Sequence, residues 1–271
     1  MTKRHETPLS KITASDRQRL DDCGGAADQS NDASPHPRLL ASVRDLREAA
    51  TVLQAGASIV DLKEPNHGPL APVDPEIWTE VAGTSPTDVQ LSAALGEADQ
   101  ATQLASLLPG QFRFAKPGVS GLAAAQHLRV LWSDVAQQLG SLTEIVAVAY
   151  ADHDSAGCLD PLSILRTAVD QGLKWYLIDT YRKNGASTLD HLTPDQLSGI
   201  ADFARQNGVQ FALAGSLTLT HARSLSELGI TPDIFGVRGD LCAGDRRSTI
   251  DAARVRLWVE TLARLPIALG P

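Results

Sequence analysis

At 271 residues, 43% apolar and 21% charged, the chain has room for one large α/β domain or two small ones. A formal net charge of -8 argues against a broad basic face for nucleic acid, but a locally positive cleft can still hold a small anion. No apolar run approaches the ~18 residues of a membrane span, so no membrane partner is expected.

From the start of the chain, Met1 to Gln29 carries Lys3, Arg4 and His5 with no apolar block behind them, and a secretory signal is not expected. Residues 1–37 are polar and without apolar period. They read as a disordered tail ending in the stiff Ser34-Pro35-His36-Pro37. From Arg38 to about residue 265 the texture is uniform. Short β-branched and apolar runs alternate with stretches of helical period. The predicted strands are Arg38–Val43, Ser58–Lys63, Asp88–Leu95, Gln111–Lys116, Glu144–Tyr150, Trp175–Thr180, Gln210–Ser216 and Ile234–Gly239. The predicted helices between them are Asp45–Ala55, Pro75–Val81, Ala98–Leu107, Leu122–Leu139, Pro161–Gln171, Pro194–Gln206 and Thr220–Leu228, with Ile250–Ala263 closing the series. Eightfold strict alternation predicts a (β/α)8 TIM barrel of the α/β class. The rival, a doubly wound open sheet, lacks its glycine fingerprint: Ala41-Ser42-Val43-Arg44 follows where it should stand.

Catalytic groups of such barrels sit at the carboxyl ends of the strands. Only six of the 24 basic residues are lysine, and three of these, Lys63, Lys116 and Lys183, fall at or just after predicted strand ends. An amine can lose its proton and attack a carbonyl, whereas a guanidinium cannot. Crowded ammonium groups in a partly dry site lower one another's pKa. Asp61, two residues before Lys63 and on the same strand face, and Asp179 could position the lysines or pass protons. A single lysine at a strand end is ordinarily a solvated loop residue, but three together point to carbonyl chemistry.

The last two strand ends suggest an anion site. Gly215-Ser216 and Arg238-Gly239 stand where barrels commonly cradle phosphate on backbone N–H groups, and Arg238 could add a bidentate contact. Each glycine alone would read as a turn. Asp152-His153-Asp154 reads as a solvated loop rather than a metal centre, and His67 as an exposed loop histidine. Cys23, Cys158 and Cys242 are odd in number and form no C-x-x-C pair, so reduced, cytoplasmic thiols are expected, with no metal and no cofactor.

With these residues in hand, a resemblance emerges. Asp61-Leu62-Lys63-Glu64-Pro65 with Gly68-Pro69-Leu70, Lys116-Pro117-Gly118, and Asp179-Thr180 with Lys183 and Gly185 resemble (5-formylfuran-3-yl)methyl phosphate synthases. So do Ala214-Gly215-Ser216-Leu217 and Val237-Arg238-Gly239 with Cys242, over about Leu39 to Leu262. The resemblance implies a barrel that condenses two molecules of glyceraldehyde 3-phosphate, for synthesis of methanofuran or a related one-carbon carrier. It implies Lys63 as the Schiff-base lysine, Lys116 as proton acceptor, and Asp61, Asp179 and Lys183 as supporting acid/base groups. The enamine on Lys63 would then add to the aldehyde of the second triose. The sequence departs from the family at Asp240, where a small residue is usual, and at Asn66-His67 and Ala71-Pro72. The residues by themselves leave open a Schiff-base aldolase for another sugar phosphate and a non-catalytic phosphate-binding barrel. A small phosphorylated aldehyde is the expected partner, and a homo-oligomer is open.

Overall fold

The computed structural model describes residues 36–265, so all but the last two residues of the expected tail, and Cys23 with it, lie outside the described residues. Eight strands form a closed parallel barrel in chain order: β1 (Arg38–Val43), β2 (Ile59–Leu62), β3 (Gln90–Ala94), β4 (Phe112–Lys116), β5 (Glu144–Tyr150), β6 (Trp175–Asp179), β7 (Gln210–Leu213) and β8 (Ile234–Val237). The (β/α)8 expectation holds. The strands are mostly apolar because both faces are covered, by barrel interior on one side and helices on the other, and their buried polar residues are the exceptions.

Helices α1 (Leu46–Gln54), α2 (Pro75–Thr84), α3 (Ala98–Ala105) and α4 (Ala125–Gln138) follow the first four strands. A single-turn α5 (His153–Ala156) precedes α6 (Pro161–Asp170), and α7 (Pro194–Gln206), α8 (Leu219–Glu227) and α9 (Ala252–Leu262) complete the ring. Local chemistry sets their ends. Asp45 and Asp160 accept the Glu48 and Ser163 amides at the starts of α1 and α6. Thr193 and Gln196 cap α7 reciprocally, with Pro194 as its first residue, and Gly208 at φ +64° ends it. Trp78 of α2 packs on Phe112 and Trp258 of α9 on Phe235, joining the helical ring to the strands.

The structure departs from the sequence expectation at strand ends. β7 and β8 stop at Leu213 and Val237, two to three residues early, because the chain turns there: Gly215 has φ +91° and Ser216 φ 52°. A β-carbon on Gly215 would lie 2.2 Å from Thr188 Oγ1, so only glycine fits. Residues 239–241 form a 3-10 turn that delivers Asp240 to the start of α8. Its Oδ2 accepts the Leu219 amide (3.1 Å) and the buried Trp258 indole N–H (2.9 Å), tying α8 to α9. Asp240→Ala should therefore lower stability by about 1–3 kcal/mol, the cost of an unpaired buried donor, measured by urea unfolding. An unchanged midpoint would show that this tie carries no weight.

Candidate active site

At the carboxyl end of the barrel, register places Ser42, Asp61 and Ser92 side by side on three neighbouring strands. Asp61 is fully buried. Its Oδ2 accepts the Ser42 hydroxyl at 3.0 Å, and its Oδ1 accepts the Lys116 ammonium at the end of β4. Ser92 Oγ, equally buried, has no hydrogen-bond partner among the described residues. Lys63 lies one residue past β2 and two past Asp61, and faces Asp179 at the end of β6, Nζ to Oδ2 3.6 Å. Asp179 Oδ1 accepts the Lys183 ammonium at 2.6 Å and the Thr180 amide at 2.8 Å, and Lys183 also reaches the Thr180 hydroxyl at 3.1 Å. The fold thus brings Lys63, Lys116, Lys183, Asp61 and Asp179 together from three strand ends.

Burial and neighbouring charge shift Lys116, Lys183 and Asp179. Lys116, 2% exposed, is held below the usual lysine range by desolvation and by the Lys63 charge, against the pull of Asp61. Lys183 is pulled down to about 8, again by burial with Lys63 adding, although Asp179 opposes it. Burial pushes Asp179 up, but Lys183 and Lys63 outweigh it and hold the carboxylate well below its ordinary value.

Two cavities of about 970 Å³ each open here and share Gly68 and Tyr181. One, over strands 6 to 8, is lined by Lys63, Asp179, Lys183, Gly215, Ser216 and Gly239, among others. The amides of Gly215, Ser216 and Gly239 make no hydrogen bond among the described residues. The other, over strands 2 to 4, is lined by Glu97 and Asp99 and by no lysine or arginine. Glu97 is fixed by the Ser120 amide (2.9 Å) and the Tyr150 hydroxyl (2.7 Å). Its carboxylate lies 2.4 Å from where a β-carbon on Gly118 would be, which accounts for the glycine of Lys116-Pro117-Gly118.

Arg238 requires a correction. The expected bidentate phosphate contact is not available, because its guanidinium is buried and all five donors are committed within the protein. Nη1 and Nη2 pair with Glu48 of α1, and the remaining N–H groups meet the carbonyls of Ser42, Arg246 and Ser248 at 2.9–3.1 Å. Asp240 lines the same cavity as Gly215, Ser216 and Gly239, with its Oδ2 engaged by the Leu219 amide and the Trp258 indole. Asp152 is not solvated: it is buried and accepts the Tyr181 (2.6 Å) and Arg182 (2.9 Å) amides, clamping the loop after β6. Among the described residues no group of three His, Cys, Asp or Glu could hold a metal ion, and no helix is long and apolar enough to cross a membrane. His67 is exposed and Cys242 buried, as expected. Sequence reasoning missed Ser42, Glu48 and Arg246. Only the last had a local signal, the Gly244-Asp245-Arg246-Arg247 turn after the eighth strand.

Residues 39–259 match the family model described as 4-HFC-P synthase. The chain is 32% identical over 237 residues to (5-formylfuran-3-yl)methyl phosphate synthase of Methanopyrus kandleri, covering 84% of this chain and 99% of that protein. It is 31% identical over 218 residues to the synthase of the same name from Methanothermobacter thermautotrophicus, covering 78% and 92%. Among solved structures it is similar in fold to phosphoribosyl anthranilate isomerase of Thermotoga maritima (TM-score 0.57, 14% identity, 84% of this chain and 98% of that one). KGPDC of Streptococcus mutans is similar too (TM-score 0.57, 13% identity, 85% and 99%).

Two measurements follow. Because Lys183 is cationic below about pH 8 and neutral above it, its acylation by a small amine reagent should reach half its maximal rate near pH 8, against roughly 10.4 for an ordinary lysine. Asp179→Asn, which removes the charge favouring the ammonium, should move that midpoint lower. Peptide mass analysis reads both, and a midpoint near 10 would contradict the burial. Arg238→Ala breaks one of the two buried ion pairs of Glu48 and leaves it to Arg44 alone, so it should cost about 3 kcal/mol in urea unfolding. A surface role would cost under 1.

Proposed function

The chain belongs to the 4-HFC-P synthase family of enzymes, and from that premise we propose that it condenses two molecules of glyceraldehyde 3-phosphate into (5-formylfuran-3-yl)methyl phosphate through an imine on Lys63. The observation that carries this reading is the pair of buried carboxylates, each holding lysine ammonium groups at the mouth of the barrel: Asp61 with Lys116, and Asp179 with Lys63 and Lys183.

The Lys63 amine attacks the aldehyde of the first triose and expels water. The iminium acidifies the adjacent C2, whose proton passes to Lys116, a lysine held below its usual pKa range by burial. The resulting enamine expels the C3 phosphate, leaving C3 as an enol carbon nucleophile. The product's skeleton decides where it attacks. Its six carbons divide into two trioses only if C3 of the first bonds to the middle carbon of the second, not to the aldehyde. The second triose must therefore present a C2 carbonyl, reached by moving its C2 proton to C1, a further task for the Lys116–Asp61 pair. Attack of its C1 hydroxyl on the first triose's C2 carbonyl closes the ring. Loss of two waters makes it aromatic, and hydrolysis returns Lys63. The sum is two trioses to furan aldehyde phosphate, one phosphate and two waters. Lys183 and Asp179 hold charge beside Lys63, and the amides of Gly215, Ser216 and Gly239 face a phosphate. The product suits supply of methanofuran or an analogous carrier in the cytoplasm.

With glyceraldehyde 3-phosphate the protein should give a furan chromophore and one phosphate per furan, and borohydride should trap an adduct on Lys63 by peptide mass analysis. Lys63→Arg should abolish both. Lys116→Arg should cut turnover by about 10²–10⁴, the usual worth of a general base, while adduct at Lys63 stays trappable. Lys183→Arg, which keeps the charge, should be damaging but less complete. Furan formed by Lys63→Arg, or trapping at another lysine, would overturn the assignment. Phosphate binding without any imine would leave a non-catalytic barrel.

A further inference from the structure

Arg246 is the cation that the mechanism above leaves unused. It lies in the turn after the 239–241 segment and lines the same cavity as Lys63, Lys183, Gly215, Ser216 and Gly239. Of the other arginines around it, Arg238 and Arg44 pair with Glu48, Arg247 pairs with Asp245, and Arg254 donates to the Asp240 carbonyl at 3.5 Å. Arg246 is only partly exposed, yet its guanidinium makes no ion pair or hydrogen bond among the described residues. A half-buried guanidinium without an acceptor costs free energy unless a ligand supplies one.

The loop is built to put it there. Arg238 Nε donates to the Arg246 carbonyl at 2.9 Å and its Nη2 to the Ser248 carbonyl at 3.1 Å, while Arg44 Nη1 donates to the Arg247 carbonyl at 3.0 Å. Both arginines are anchored on Glu48, which is 4% exposed. Asp245 Oδ1 accepts the Arg247 amide at 2.9 Å and the Ser248 amide at 3.1 Å, which tightens the turn. Three consecutive carbonyls are thus pinned, and the Arg246 side chain lines the cavity. We propose that Arg246 binds the phosphate monoester of the substrate opposite the amides of Gly215, Ser216 and Gly239, and that Glu48, acting through Arg238 and Arg44, is the positioning residue that holds Arg246 in place. Planar guanidinium donors match phosphate oxygens in pairs. The proposal rests on the reading of a phosphorylated substrate, and it moves the side-chain contact from Arg238 to Arg246.

The probe is inorganic phosphate, titrated calorimetrically into the full chain with no turnover needed. Arg246→Gln should weaken phosphate binding by about 10- to 100-fold, the range of a charge-assisted contact, and Arg246→Lys by less. With glyceraldehyde 3-phosphate, Arg246→Gln should raise KM more than it lowers kcat. Borohydride trapping of unphosphorylated glyceraldehyde on Lys63 should be affected less than that of glyceraldehyde 3-phosphate. Glu48→Gln should also raise KM, and the double variant should be no worse than Arg246→Gln alone, a non-additivity that a merely structural role would not give. Folded Arg246→Gln that binds phosphate like the parent, or additive Glu48 and Arg246 effects, would overturn the proposal. Phosphate binding that depends on Arg246 without imine or furan formation would sink the proposed reaction and leave this site standing. Furan formation with unaltered phosphate affinity in Arg246→Gln would do the reverse.

Discussion

Everything at the mouth of the barrel depends on keeping three ammonium groups close together out of water. Such charges repel one another and each loses its hydration, so the arrangement is stable only because Asp61 and Asp179 are buried beside them. The pairing is unequal. Lys116 has Asp61 as its own partner, while Lys63 and Lys183 divide Asp179. The Lys63 contact, 3.6 Å against 2.6 Å for Lys183, is the looser one. A lysine that must leave its counter-ion to react is better held loosely, and one that must hold charge in place is better held tightly.

A second buried charge system performs a different task a few residues away. Glu48 of α1 receives two guanidinium groups, and those guanidinium groups grip the carbonyls of the loop after β8. A loop with few apolar residues has little else to order it. Here the first helix of the barrel sets the shape of its last loop, which is possible because β1 pairs with β8.

The barrel was legible in the sequence because burial on both strand faces and amphipathic helices leave a strong alternation, and capping residues such as Thr193-Pro194 mark where helices begin. The lysines were legible because they are scarce and fall where strands end. The strand end at Leu213 was not, since the following Ala214-Gly215-Ser216 is apolar or small and only the left-handed backbone at Gly215 and Ser216 stops the ladder. Arg238 was misread for a related reason. Sequence places it beside a phosphate-cradling turn, but its partner Glu48 is 190 positions away, and no local pattern links the two. Asp152 looked solvated because its partners are backbone amides of Tyr181 and Arg182, which a sequence does not display.

The division of the mouth into two cavities gives the barrel an electrical polarity across its rim. Lysines and arginines line the side over strands 6 to 8, and Glu97 and Asp99 the side over strands 2 to 4, with Tyr181 on the boundary. A dianion arriving from solvent meets repulsion on one flank and attraction on the other, so it is turned before any hydrogen bond forms. Raising ionic strength flattens that gradient within about 8–10 Å, so salt acts on the rate of capture sooner than on the chemistry beneath it.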